Sequence, residues 1–155
     1  MIPHHEQAVE MADLALAESA GASASVVALA EQIKKAQDPE IEQMTGWLQD
    51  WGAPVTMPGA DSSDMADMDH GGHDMGGITM SGMVSAEDMQ ALSEASGQEF
   101  DILWMQAMIA HHEGAVVMAE QVKESTDNPE VEKLANEVIR TQTKEIQMMQ
   151  AYLAP

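Results

Sequence analysis

Apolar positions recur along this 155-residue chain at helical spacing, in several stretches separated by strong helix breakers. Around a helix, at about 100° per residue, Met1, His5, Ala8, Ala12 and Leu16 share one stripe, with His4 and Met11 along its edge. Met108, His112, Ala115 and Ala119 form the same stripe further on, with His111 and Met118 alongside. Ile33, Gln37, Ile41, Met44 and Leu48 make another inward face, flanked by Glu40 and Trp47. The breakers set the ends. A first helix is predicted over residues 3 to 20, ended by Gly21. Ser23 or Ser25 caps a second that runs to about Asp50, where Gly52 and Pro54 stop it. Within it, Asp38-Pro39 predicts a kink or a short break. Ser85-Ala86-Glu87-Asp88 reads as a capping box opening a short helix that Gly97 closes. A long helix follows from about Gln98 to Glu124, and Asn128-Pro129 starts a last one reaching about Leu153.

The chain says one phrase twice. Met1-Ile2-Pro3-His4-His5-Glu6-Gln7-Ala8-Val9-Glu10-Met11-Ala12 returns as Met108-Ile109-Ala110-His111-His112-Glu113-Gly114-Ala115-Val116-Val117-Met118-Ala119, at a constant offset of 107 residues (111 − 4). The copies differ only at Pro3/Ala110, Gln7/Gly114 and Glu10/Val117. The helix after each phrase repeats as well. Leu29-Ala30 matches Leu134-Ala135, and Gln37, Glu40, Ile41, Met44 and Leu48 match Gln142, Glu145, Ile146, Met149 and Leu153, now at an offset of 105 (134 − 29). Two helical hairpins are therefore expected, residues 1–52 and 85–155, joined by a linker over residues 53–84. Four amphipathic helices in that arrangement make an all-α four-helix bundle. The linker holds Met57, Met65, Met68, His70, His73, Met75, Met80 and Met83 among Asp and Gly, with almost no aliphatic residue. Such a segment cannot bury a core and is expected to be flexible without a ligand.

Composition narrows the chemistry. A formal charge of −21 argues against nucleic acid or anionic lipid as partner and favours cations. No apolar run is long enough to span a bilayer. There is no cysteine, which excludes disulfides and thiolate metal sites, yet there are 15 methionines against one Phe and one Tyr. Soft thioether sulfur prefers Cu(I), and imidazole serves Cu(I) and Cu(II) alike. The same softness admits Ag(I), whereas zinc draws on Cys, His and carboxylate. In an oxidising compartment Met forms no disulfide and binds without losing a proton.

The double Met-Ile-x-His-His-Glu-x-Ala-x-x-Met-Ala phrase, each copy followed by Gln-x-x-Glu-Ile-x-x-Met, resembles the domain-of-unknown-function 305 family. The resemblance covers nearly all of the chain outside the linker. It implies a ferritin-like helical bundle, export from the cytoplasm to the periplasm or beyond, and a part in copper binding and resistance. The chain departs from that pattern at Pro39, at Gly114 and in having nothing before Met1 to match the run-up Phe100-Asp101-Ile102-Leu103-Trp104-Met105. An upstream piece, with an export signal, is therefore expected. So is a second copy of the chain, forming a homodimer that covers the apolar surface of residues 86 to 104.

The candidate ligands are His4, His5, Met11 and Met44 in the first hairpin and His111, His112, Met118 and Met149 in the second. Met65, Met68, His70, His73, Met75, Met80 and Met83 form a second, looser class. The expected cargo is Cu(I), with Cu(II) or Ag(I) as alternatives, held for storage, buffering or transfer to a copper-handling partner. Two other readings compete. In one, the histidines are core residues bonded to Gln37 and Glu40, or to Gln142 and Glu145, and the protein is an interaction module. Adjacent residues diverge by about 100°, so only one histidine of each pair is expected to sit deep. In the other, the bundle is a di-iron oxidase, which requires Glu-x-x-His on two helices. No Glu-x-x-His occurs anywhere in the chain, so no catalytic activity is expected.

Overall fold

The computed structural model describes residues 1–55 and 81–154. It comprises α1 (Ile2–Leu16), α2 (Ala24–Asp50), α3 (Ala86–Glu94), α4 (Gly97–Ser125) and α5 (Pro129–Leu153), with a 3-10 turn at Glu18–Ala20. No strand occurs among the described residues. The caps act where polar side chains precede apolar runs. Ser23 accepts from the Val26 N–H, Ser85 from that of Asp88, and Asn128 from those of Glu130 and Val131. α2 ends in a Schellman motif, with Ala53 N–H donating to Leu48 O, Gly52 N–H to Gln49 O, and Gly52 at φ +65.

Three local expectations change. α1 stops at Leu16, where Ala17 turns extended, and the 3-10 turn, rather than α1 itself, carries the chain to Gly21. The short α3 closes at Ala95, and Gly97 opens α4 instead. α2 runs unbroken through Pro39. The proline forfeits one bond to the carbonyl of Lys35, and both residues lie on the exposed side, where water can take that carbonyl.

α1 packs along α2 and α4 along α5, and the hairpins meet through α1 and α4. Their cores are not one per hairpin. A first apolar cluster joins Met11, Ala12 and Ala15 of α1, Val26 to Ile33 of α2, Phe100 to Met108 of α4 and Met149 of α5. A second joins Met1, Met44 and Trp47 with Ala115 and Ala119 of α4 and Leu134 to Val138 of α5. Every long helix passes from one cluster to the other, and at the crossing each carries buried polar residues. These are His4-His5, Gln37, His111-His112, and Gln142 with Glu145.

The run-up Phe100–Met105 at the start of α4 belongs to the first cluster. Leu92, Phe100 and Trp104 are buried there within a single chain, and the Trp104 indole N–H donates to Met11 O at 2.8 Å. Leu92, Phe100 and Trp104 thus pack within one chain, while Ile102 of the same stretch stays 38 % exposed.

Candidate metal centre

The polar layer between the two apolar clusters is built from the repeated phrase. All four phrase histidines are fully buried, His4, His5 and His112 at 0 % exposure and His111 at 1 %. This corrects the expectation of one deep histidine per pair. The 100° divergence is real, but α1 has a neighbour in both directions. His5 faces its own hairpin, where its Nε2 lies 2.9 Å from Glu40 Oε2. His4 faces the other hairpin, its ring stacked at 3.7 Å on that of His111 with a tilt of 35°. The second hairpin repeats the plan, with His112 Nε2 at 2.8 Å from Glu145 Oε2.

Glu145 is 1 % exposed, and its other oxygen accepts from the Gln32 side chain of α2 at 3.0 Å. Glu40 and Glu145 thus both face the layer, while Glu6 and Glu113, beside the histidines in sequence, are exposed. The glutamines behave differently. Gln37 and Gln142 are buried, yet neither bonds to a histidine, and Gln37 Nε2 and Oε1 have no hydrogen-bond partner among the described residues.

The ring nitrogens sort into two sets. Nε2 is engaged on three imidazoles, by Glu40 on His5, by Glu145 on His112 and by the Ser81 carbonyl on His4 at 3.1 Å. Nδ1 is buried without a hydrogen-bond partner among the described residues on all four, and His111 also lacks one at Nε2. A neutral imidazole that gives its Nε2 proton to an oxygen keeps a lone pair on Nδ1. Metal-ligating histidines are held in the same way, with the other ring N–H on a carboxylate or carbonyl. Charge is disfavoured here. Burial, then the neighbouring His5 imidazole, lowers the pKa of His4 to about 4. Burial and the His4 ring lower that of His111 to about 2. Both rings are neutral at physiological pH, the state that binds metal.

Imidazole alone does not complete a site. Among the described residues no group of three or more His, Asp or Glu side chains converges to hold an ion. Thioethers are the available complement. Met11, Met105, Met108 and Met149 are all buried in the apolar cluster on one side of the layer. Met108 precedes His112 by four residues, so the two share a helix face. Of the sequence candidates, Met11 and Met149 lie in this cluster although they come from different hairpins. Met44 packs on the other side with Met1 and Trp47, lining an apolar cavity of about 390 Å³. Met118 is half-buried on α4, and Met83 is 38 % exposed. Met65, Met68, His70, His73, Met75 and Met80 lie outside the described residues. Sequence reasoning missed Met108, which the repeat pairs with Met1, and the Ser81 carbonyl, which no side-chain pattern reveals.

The sequence pattern of the family described as a domain of unknown function, DUF305, matches residues 1–153. A DUF305 protein of known structure from Streptomyces coelicolor superposes with a TM-score of 0.81 at 28 % identity, covering 98 % of this chain and 86 % of that one. A DUF305 fragment from Deinococcus radiodurans gives 0.79 at 30 % identity, covering 99 % and 89 %. CopM in its Cu(II)-bound form gives 0.73 at 34 % identity, covering 98 % and 89 %, and CopM is also known in Cu(I)-bound, Ag-bound and apo forms. No curated protein sequence matches the chain.

Proposed function

We propose that this chain, which belongs to the DUF305 family, is an extracytoplasmic copper-binding protein that stores, buffers or passes on Cu(I) without catalysing a reaction. One observation carries the reading. Four fully buried imidazoles from two hairpins meet in one layer with their Nδ1 atoms unpartnered among the described residues, while carboxylates and a carbonyl hold Nε2 on three of them. An unsatisfied buried polar atom costs on the order of 1–3 kcal/mol, and a bound ion offsets that cost. The adjacent buried thioethers make the donor set soft, which suits Cu(I) and Ag(I) better than zinc or iron. CopM, about a third identical over nearly the whole chain, has been captured with Cu(I), Cu(II) and Ag. Methionine in place of cysteine suits an oxidising compartment, and no described helix is long and apolar enough to cross a membrane.

The layer and the linker play different parts. The layer is preformed and takes copper slowly and tightly. The linker's methionines and histidines bind and release it quickly, and the acidic surface concentrates cations around both. The test is an anaerobic Cu(I) titration against a chromophoric chelator, on the full chain and on a variant lacking residues 57–79. The full chain is expected to bind several ions and the variant fewer, with the tightest class retained. Failure of both to compete with the chelator overturns the reading and leaves the phrase as a packing motif.

A further inference from the structure

Position 7 of the first phrase corresponds to position 114 of the second at the same offset of 107, and it is one of the three places where the copies differ. The structure sets both residues against one segment, Ser81–Val84, which crosses from α4 to α1 over the histidine layer. Gln7 grips it like a strand partner. Its Nε2 donates to Val84 O at 2.9 Å, and Val84 N–H donates to Gln7 Oε1 at 2.8 Å. Gly114 makes room for it. A Cβ at Gly114 would lie 1.9 Å from Ser81 O and 2.8 Å from Gly82 Cα. Gly82 returns the fit, because a Cβ there would lie 2.5 Å from Ala110 O, and its φ of +83 is one that L side chains rarely adopt. Backbone therefore lies directly on backbone. In that seat the Ser81 carbonyl meets His4 Nε2 at 3.1 Å.

We propose that Gln7 and Gly114 are positioning residues for the copper layer, fixing the Ser81–Val84 strap so that its carbonyl holds His4 as the Nε2–H tautomer with Nδ1 free for metal. The inference rests on the copper reading and deepens it. A carbonyl oxygen can only accept, so it selects one tautomer. The device also breaks the symmetry of the repeat. His5 and His112 are both held by carboxylates, whereas of the stacked pair only His4 is held, and His111 has no partner at either nitrogen among the described residues. His4 is the fixed ligand of that pair, and His111 can turn to meet the ion. The divergence of Gln7 from Gly114 follows. One copy of the phrase has to hold the strap and the other has to admit it.

The experiment uses the full chain with 15N-labelled histidine. Long-range 1H–15N correlations at neutral pH read the tautomer of each ring, and Cu(I) competition reads affinity. Wild type is expected to show His4 as Nε2–H alone. Gln7→Met keeps the side-chain length but removes both bonds to Val84, and Gly114→Ala unseats the strap. Each is expected to give His4 as a mixture of tautomers and to weaken the tightest Cu(I) class by about 10–100-fold, the usual effect of losing a histidine's outer partner. Far-UV circular dichroism checks that helicity persists. An unchanged His4 tautomer and unchanged affinity in a folded Gln7→Met overturn the proposal, whether or not Gly114→Ala folds. If wild type binds no Cu(I), the copper reading falls by itself, and the tautomer comparison still decides whether the strap holds His4.

Discussion

The histidines set the chemistry at the scale of single residues, and their burial gives stability a definite pH dependence. His4 and His111 have native pKa values of about 4 and about 2, below the ordinary 6.5, because burial disfavours the charged ring. Below pH 6.5 the unfolded chain takes up protons that the native layer refuses, so the unfolded state gains. Metal-free stability is thus complete above pH 6.5 and falls as pH drops through 4 and on toward 2. Urea midpoints across that window check this, and His111→Gln, which cannot titrate, is expected to show the shallower fall. A second prediction concerns Glu145, which accepts from Gln32 and partners His112. Glu145→Ala strands the His112 ring nitrogen in the interior, whereas the exposed Gln32 can turn to water, and is expected to cost on the order of 1–3 kcal/mol in denaturant unfolding. The identity of the buried histidines was legible from the duplicated phrase. That both members of each pair are buried was not, because helical periodicity describes one face, and α1 and α4 each touch two neighbours.

The elements were the most legible part of the chain, since Ser23, Ser85, Asn128 and Gly52 each have a local mechanism that starts or stops a helix. At Pro39 the helix continues rather than breaking, because the effect of a proline depends on which side of α2 it occupies, and that is a tertiary fact. Asp101 was missed altogether. It is 4 % exposed and ties the hairpins together, accepting from Ser23 N–H at 3.0 Å and from the Tyr152 hydroxyl at 3.2 Å. Its partners lie 78 and 51 residues away, so no short pattern could announce them. Asp101→Ala leaves the Ser23 N–H without its partner, while the exposed Tyr152 hydroxyl keeps Ser23 Oγ at 3.2 Å, and is expected to lower stability by about 1 kcal/mol. Its Cu(I) stoichiometry should stay unchanged, because this tie lies at the first apolar cluster, away from the histidine layer. A chelator titration of the variant that lost copper would contradict that separation.

For the molecule as a whole, the duplication predicted two hairpins, and the structure shows what their union adds. Neither hairpin owns a core. Each apolar cluster draws on both, and the stacked His4 and His111 come from opposite sides. An ion in the layer therefore crosslinks the hairpins. A ligand that binds only the folded state at a hundredfold excess over its Kd adds about 3 kcal/mol. Cu(I) is accordingly expected to raise the thermal midpoint of the chain lacking residues 57–79, as followed by circular dichroism.

The ring nitrogens report on that shared layer without an intermediary. Cu(I) is diamagnetic, so long-range 1H–15N spectra of the labelled chain can be recorded before and after one equivalent is added anaerobically. The Nδ1 resonances of His4 and His111 are expected to move together, with their partners His5 and His112 responding in the same layer. Copper bound with all four rings unmoved would contradict it, and would assign the metal to the linker alone.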